Sequence, residues 1–385
     1  MKCIHCNSDS NYKARVANGG RCYACMHPFA FEPKNDPFQM ADGLFQRAVQ
    51  DVSSEGTLAF TERQLWYEVN RRLLRKVPYL PAPYGIGAAA VGLGGVAAGL
   101  TLFPPLFLVG IVGAAVTVGI GLKQGQKHPR VRYPRMQFET FQQVYLSRYE
   151  TVHGALEKLV RVVAPRAKSP AATLPPDVTA YSFDRALITQ DAEIAAMLVA
   201  NRFHFENNCA ILSGDRRYPQ NGLFDTILEM LRRNPRLMVF VLHDASSIGL
   251  SMYGSMRDKQ WFPDTPIRAF DLGLRPLHAI KSNFVLTKGH YSGISPEVVT
   301  VLTPEEQKWL AEGNIAEVAT IRPERLMKAV FHGFQRAQEL VQSGNYDDGY
   351  AGGGIFFIDT GPGVYMYGGT GGGYTGDSYA YDSFG

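Results

Sequence analysis

Four cysteines stand in two close pairs at the start of the chain. Cys3-Ile-His-Cys6 and Cys22-Tyr-Ala-Cys25 give the pattern C-x2-C-x15-C-x2-C. Two residues between cysteines let both thiolates reach one ion from a single tight turn, and two such knuckles complete a tetrahedral site. Gly19-Gly20, just before the second pair, supplies permissive backbone. The segment is too small to bury a core, so a structural zinc ion would hold it folded. Two redox-active CxxC pairs are the alternative, but a thioredoxin-like site carries one pair in a βαβ setting. His5 and His27 are bystanders when four cysteines fill the site. The expected module is a zinc ribbon over residues 1–34, with a protein or nucleic-acid partner. The fifth cysteine, Cys209, is alone.

The next chemistry-bearing residues lie in Thr61-Glu-Arg-Gln-Leu-Trp-Tyr67. Thr61 reads as the N-cap of a helix over Glu62–Leu74, with Leu65, Trp66, Val69, Leu73 and Leu74 as its apolar stripe. Arg63 is one helical turn from Tyr67. A tyrosine that attacks a phosphate needs a cationic clamp, which Arg63 could supply. Plain helix packing is the other reading of Trp66 and Tyr67.

From Thr179 short strands alternate with helices. Strands are expected at Arg185-Ala-Leu-Ile-Thr, Cys209-Ala-Ile-Leu-Ser, Leu237-Met-Val-Phe-Val-Leu-His and Ile267-Arg-Ala-Phe-Asp. Helices are expected at Ala192–Phe203, about Gly222–Arg233 and about Ser247–Arg257, with about two more between Pro304 and Val341. This alternation predicts an α/β domain with a parallel sheet. Ligands in such sheets bind beyond the carboxyl ends of the strands. Those ends carry Gln190 and Asp191, then Gly214 and Asp215, then Asp244 and Ser246.

Between these blocks lies Gly85–Leu122, 38 residues without one charge, with Pro104-Pro105 near its middle. That predicts two apolar helices, about Gly85–Leu102 and about Leu106–Leu122, long enough to form a transmembrane hairpin. Dense glycine and alanine would let the two backbones approach closely. Arg71, Arg72, Arg75 and Lys76 precede the run; Lys123, Lys127, Arg130, Arg132 and Arg135 follow it. Basic flanks at both ends place both on the cytoplasmic side. The expected location is the membrane, with N-terminal and C-terminal parts facing the cytoplasm. The alternative is a glycine-rich hairpin buried in a soluble core. A channel or transporter is disfavoured, since the two spans carry no ionisable residue.

The remaining organisation follows from composition. Residues 37–84 and 123–163 read as helical, and 164–177 as a Pro/Ala/Ser-rich linker. The α/β domain occupies 178–343. Residues 344–385 are Gly- and Tyr-rich; within them Ile355-Phe-Phe-Ile and Val364-Tyr-Met-Tyr could pair as a hairpin. That tail suits self-association or protein contact. From Asn345 onward there are five Asp and no Lys or Arg, so a net +4 for the chain leaves +9 on the rest. A basic body is compatible with nucleic acid or anionic lipid.

Two stretches together resemble the A subunit of DNA topoisomerase VI and its meiotic double-strand-break relatives. That family joins a winged-helix-type domain with a DNA-attacking tyrosine to a toprim domain that holds magnesium. Thr61–Tyr67 is similar to its Thr-x-Arg-[Asp/Gln]-[Ile/Leu]-Tyr-Tyr motif, with Tyr67 on the nucleophile. Leu-Ile-Thr-Gln190-Asp-Ala-Glu falls where the toprim glutamate follows its first strand. His-Asp244-Ala-Ser246-Ser-Ile-Gly249 falls on Asp-x-Asp-Pro-x-Gly. The resemblance implies a toprim-like sheet, with a winged-helix-like start in residues 37–84; an unrelated Rossmann-like sheet is the alternative. Of three carboxylates it requires, Asp244 alone is in place, while Gln190 and Ser246 stand at the others and Asp191 is one residue late. Magnesium prefers carboxylates in octahedral geometry, so the expectation is a degraded site acting as an interaction or regulatory scaffold. A membrane-tethered nucleic-acid-binding or nicking enzyme, with magnesium, is the second expectation.

Overall fold

The computed structural model describes residues 1–75, 82–101, 106–127, 133–162, 183–213, 234, 236–257, 268–281, 284–291, 293–294, 299, 302–343, 355–359 and 364–368. Gly214, Asp215, the expected helix at 222–233, the linker 164–177, Pro104-Pro105 and most of the Gly/Tyr-rich tail lie outside them.

The N-terminal segment holds the two cysteine knuckles and one short helix between them, α1 (Tyr12–Ala17), capped by the Asn11 side chain. Arg15 ties this segment together: its guanidinium grips both Glu32 oxygens at 2.7 and 2.8 Å and donates to the Ser10 carbonyl. Next come α2 (Asp42–Val52) and α3 (Glu62–Arg75). The start of α3 is fixed as its sequence suggests. The Thr61 hydroxyl accepts from the Gln64 N–H at 3.1 Å, and the Gln64 side chain accepts from the Thr61 N–H at 3.0 Å. This reciprocal box satisfies two donors that a helix end leaves open. Helix α3 is the body's central rod: Leu65, Tyr67, Val69 and Leu73 are fully buried, and so is Asn70.

Two apolar helices follow, α4 (Ala82–Thr101) and α5 (Leu106–Lys127), packed against one another. Glycines set their spacing. A Cβ on Gly110 would come within 2.6 Å of the Gly95 Cα, and one on Gly113 within 2.8 Å of a Val91 methyl. Ile86, Leu93, Leu108, Val109, Val112 and Val116 point outward from this pair and are exposed. Among the described residues, no helix is long and apolar enough to cross a membrane, so the expected transmembrane hairpin has no support there; the uncharged run forms two packed helices whose many glycines dilute their apolarity.

Both ends of the hairpin are tied to α3. Arg75 ends α3 seven positions before Ala82. On the return, Met136 is clamped by α3: its carbonyl accepts from Trp66 Nε1 at 2.8 Å, and its N–H donates to Asn70 Oδ1 at 3.0 Å. The segment from 138 to 153 is helical, with a π-helical turn at Phe141–Leu146. Helical structure does not continue to Val163 as the apolar spacing suggests. Gly154, at φ +93°, stops it, and Leu159–Val160 (β2) pairs in parallel with Phe60–Thr61 (β1).

The α/β domain carries four strands, β3 (Arg185–Thr189), β4 (Cys209–Ser213), β5 (Met238–Leu242) and β6 (Arg268–Asp271), all parallel in the order β4-β3-β5-β6. β5 is buried along its whole length, as expected of a parallel strand covered on both faces. Helix α6 (Ala192–Ala200) follows β3 and ends short of the expected Phe203, because Arg202 turns left-handed at φ +58°. α7 (Ser247–Arg257) follows β5; α8 (Pro304–Ala311) and α9 (Pro323–Gln342) close the domain. Thr287–Lys288 (β7) pairs with Asn314–Ile315 (β8), and Ile355–Asp359 (β9) with Val364–Gly368 (β10). The protein is thus mixed α/β with parallel sheets and a cysteine cluster at its N-terminus.

Candidate functional site

The four N-terminal cysteines converge. Their sulfurs lie within 4.8 Å of one another, with Cys3–Cys25 at 3.7 Å and Cys6–Cys22 at 3.6 Å. These separations are far above a disulfide bond. They match the edge of a tetrahedron with metal–sulfur bonds of about 2.3 Å, which is about 3.8 Å. The two knuckles repeat one geometry. Cys3 N–H donates to the Ser8 carbonyl and Asn7 N–H to the Cys3 carbonyl; Cys22 and Met26 do the same with His27 and Cys22. Asn7 and Met26 both turn left-handed, as do Gly19 and Gly20. The Ser8 hydroxyl, 3.2 Å from Cys22 Sγ, leads the groups that pull the Cys22 thiol down to about 6. A thiolate is the species that binds metal. His5 and His27 are not among the sulfurs' company. They stack with His153 as a file of rings, and His153 Nε2 meets buried Asp42 at 2.8 Å. Asp42 in turn accepts from the N–H groups of Ala30 and Phe31, so the file docks the cysteine segment onto α2.

The second candidate lies at the carboxyl ends of β3 and β5. In the order β4-β3-β5-β6 the connection reverses between these two strands, and that crevice is where open parallel sheets bind ligands. Gln190 and Asp191 stand on one side of it and Asp244 on the other. Their side chains are largely turned to the protein's own backbone. Gln190 Oε1 accepts from the Asp244 N–H at 2.9 Å, joining the two strand ends. Asp191 caps α6, accepting from the Glu193 N–H at 2.9 Å. Asp244 Oδ1 accepts from the Val318 N–H at 2.7 Å. The cap of α7 falls to Ser246, whose hydroxyl accepts from the Gly249 N–H at 3.0 Å. Gly249 is required here, since a Cβ would lie 2.3 Å from the Asp244 carbonyl and 2.7 Å from Gln190 Oε1. Beneath, buried His243 meets Asp271 at 3.0 Å. Burial opposes its charge, but Asp271 outweighs that and raises its pKa.

Helix α3 brings Arg63 and Tyr67 to the same crevice, across about 180 residues of sequence from Asp244. Arg63 is partly exposed but engaged, and Tyr67 is sealed. Arg63 Nη1 holds both oxygens of Glu317 at 3.0 and 3.1 Å, and its guanidinium lies 4.5 Å from the Phe138 ring centre. Tyr67 is fully buried and packs on Trp66 at 4.6 Å. Its hydroxyl has no hydrogen bond of ordinary geometry. Burial first, then the Glu317 charge, raises its pKa well above 10, the opposite of what an attacking phenolate needs. Glu317 is the residue that sequence reasoning misses. It follows β8 in a short turn, carries no motif, and is brought in by tertiary packing. Burial and Glu317 raise Asp244 to about 7, and burial raises Glu317 as well. Asp191, Asp244 and Glu317 therefore feel one another's charge. Among the described residues, however, the four cysteines are the group whose ligand atoms are gathered closely enough to hold a metal.

The chain matches no family model and no curated protein.

Proposed function

We propose that this protein is a membrane-associated, zinc-ribbon scaffold whose toprim-like sheet no longer performs chemistry. The observation that carries this is the use of the strand-end side chains. Gln190 and Asp244 bond the fold's own backbone, and Tyr67 is sealed in the core with a raised pKa. A family resemblance confined to Thr61–Tyr67 and Leu187–Met256 gives the sheet its toprim-like reading. Its catalytic positions now join strand ends and cap helices. The sulfur geometry supports a structural zinc in the ribbon, closed by four thiolates and so without an open position for substrate. The exposed apolar faces of α4 and α5 support insertion into a bilayer. A hairpin whose two ends are tied to one helix enters and returns on the same side, so the body faces one compartment, which the basic flanks make the cytoplasm. Ribbon and tail are then the surfaces left for a protein partner or for self-association.

The test is calorimetry of magnesium and manganese with the full-length chain, beside a plasmid-nicking assay and zinc analysis. The expected result is no divalent-cation heat, no nicking and zinc retained, with zinc lost in Cys22→Ser. One observation favours a second reading: Glu317 adds a carboxylate beside Asp244 that the sequence motifs lack. If magnesium binds and supports plasmid nicking, and Asp244→Ala abolishes both, the protein is a nucleic-acid-processing enzyme and the scaffold reading fails.

A further inference from the structure

At the foot of the hairpin four arginines surround two carboxylates. Arg71 reaches Glu68 at 2.6 Å and the Thr320 carbonyl at 2.7 Å. Arg322 reaches Glu68 and Asp51, both at 3.0 Å. Arg72 pairs with Asp51 and lies 3.4 Å from Glu68. Glu68 is buried, and despite that burial the surrounding guanidiniums hold its pKa below the usual carboxylate range. The two carboxylates are thus shared among three arginines. Arg75, exposed at the last turn of α3, has no ion-pair partner among the described residues. Its pKa is lowered, by burial first and then by Arg71, Arg72 and Arg322 against the pull of Glu68. A positive group under that pressure gains from any anion that approaches.

We infer that this arginine cluster binds the phosphate of anionic lipid headgroups where the hairpin meets the bilayer. The inference rests on the membrane reading above and deepens it by naming the lipid class. Position favours lipid over other phosphates. Arg75 is seven positions from the first residue of α4, and α5 also packs against α3. Arg135, exposed on the return, sits next to Met136, which Trp66 and Asn70 clamp to the same helix. A hairpin inserted from this base sets both arginines at headgroup depth. Guanidinium suits the task, because it stays charged and presents a planar fork to phosphate oxygens. Each basic side chain near an anionic surface contributes about 1 kcal/mol, about fivefold in partition, and salt screens the effect.

The full-length chain is diluted from detergent onto preformed vesicles of phosphatidylcholine, alone or with phosphatidylglycerol, and bound protein is measured by flotation. Anionic vesicles should take up the chain on the order of tenfold better. Arg75→Gln should reduce that preference about fivefold and leave binding to neutral vesicles unchanged, while Arg75→Lys keeps most of it. Equal partition of the wild-type chain to both vesicle types overturns the lipid assignment and leaves the hairpin reading standing. No binding to either, from protein that retains its zinc and circular dichroism, removes the membrane reading and this inference with it. Release of the wild-type chain, but not Arg75→Gln, from anionic vesicles by short duplex DNA assigns the cluster to nucleic acid and also overturns the proposal.

Discussion

Asp244 shows how one position changes meaning between motif and molecule. Its carboxyl lies beside Glu317 and Asp191 and accepts from the Val318 N–H, and its pKa rises to about 7. A carboxyl whose folded pKa exceeds its unfolded value of about 4 binds its proton more tightly in the native state. Stability therefore falls as pH rises between those values. Asp244→Asn keeps an oxygen for Val318 and removes the charge. Its unfolding free energy should match the wild type near pH 3.5 and exceed it near pH 8, by at least about 1 kcal/mol, in urea titrations at the two pH values. Tyr67 makes the complementary case. Its hydroxyl is buried with no hydrogen bond of ordinary geometry, although Thr287 and Glu317 lie close enough to interact with it, and such a group costs about 1 to 3 kcal/mol to desolvate. Tyr67→Phe should leave stability unchanged or raise it by about 1 kcal/mol in denaturant unfolding, with circular dichroism and zinc content as for wild type.

Helix α3 carries three jobs. Arg63 and Tyr67 close the strand-end crevice, Glu68 gathers arginines, and Trp66 with Asn70 seizes Met136. The Met136 clamp is the element-scale device that brings the hairpin's return back to its start. Asn70 is fully buried, accepts from the Met136 N–H and donates to the carbonyls of Met136 and Trp66. Asn70→Ala would strand the Met136 N–H without water. The expected loss is about 1 to 3 kcal/mol of unfolding free energy in denaturant titrations. Ser246 at the start of α7 is a lesser device; it caps a helix, as a hydroxyl or carboxylate at that position commonly does.

For the molecule as a whole, the hairpin and the body make separable contributions. Leu93 on α4 and Val112 on α5 are exposed, so if the proposed membrane association holds, Leu93→Lys together with Val112→Lys should move the chain from the membrane pellet to the supernatant in cell fractionation. Zinc content should stay unchanged, because the cysteine cluster is built from residues before Pro28. Local chemistry was legible in the chain by itself. The CxxC spacing dictated the sulfur cluster, Thr61 announced the α3 cap, the uncharged run announced two apolar helices, and continuous apolar stretches announced the parallel strands. Each depends on neighbours within about one element, so periodicity and turn chemistry suffice to find it. What tertiary structure alone decided was the company each polar group keeps. Nothing near Arg63 in sequence points to Glu317, nothing near Glu68 points to Arg322, and Asp244 gives no sign that it will serve the Val318 N–H. Those pairings follow from packing that closes loops of many tens of residues. Burial then sets their energetics, because a low-dielectric interior turns distant charges into determinants of each other's proton affinity.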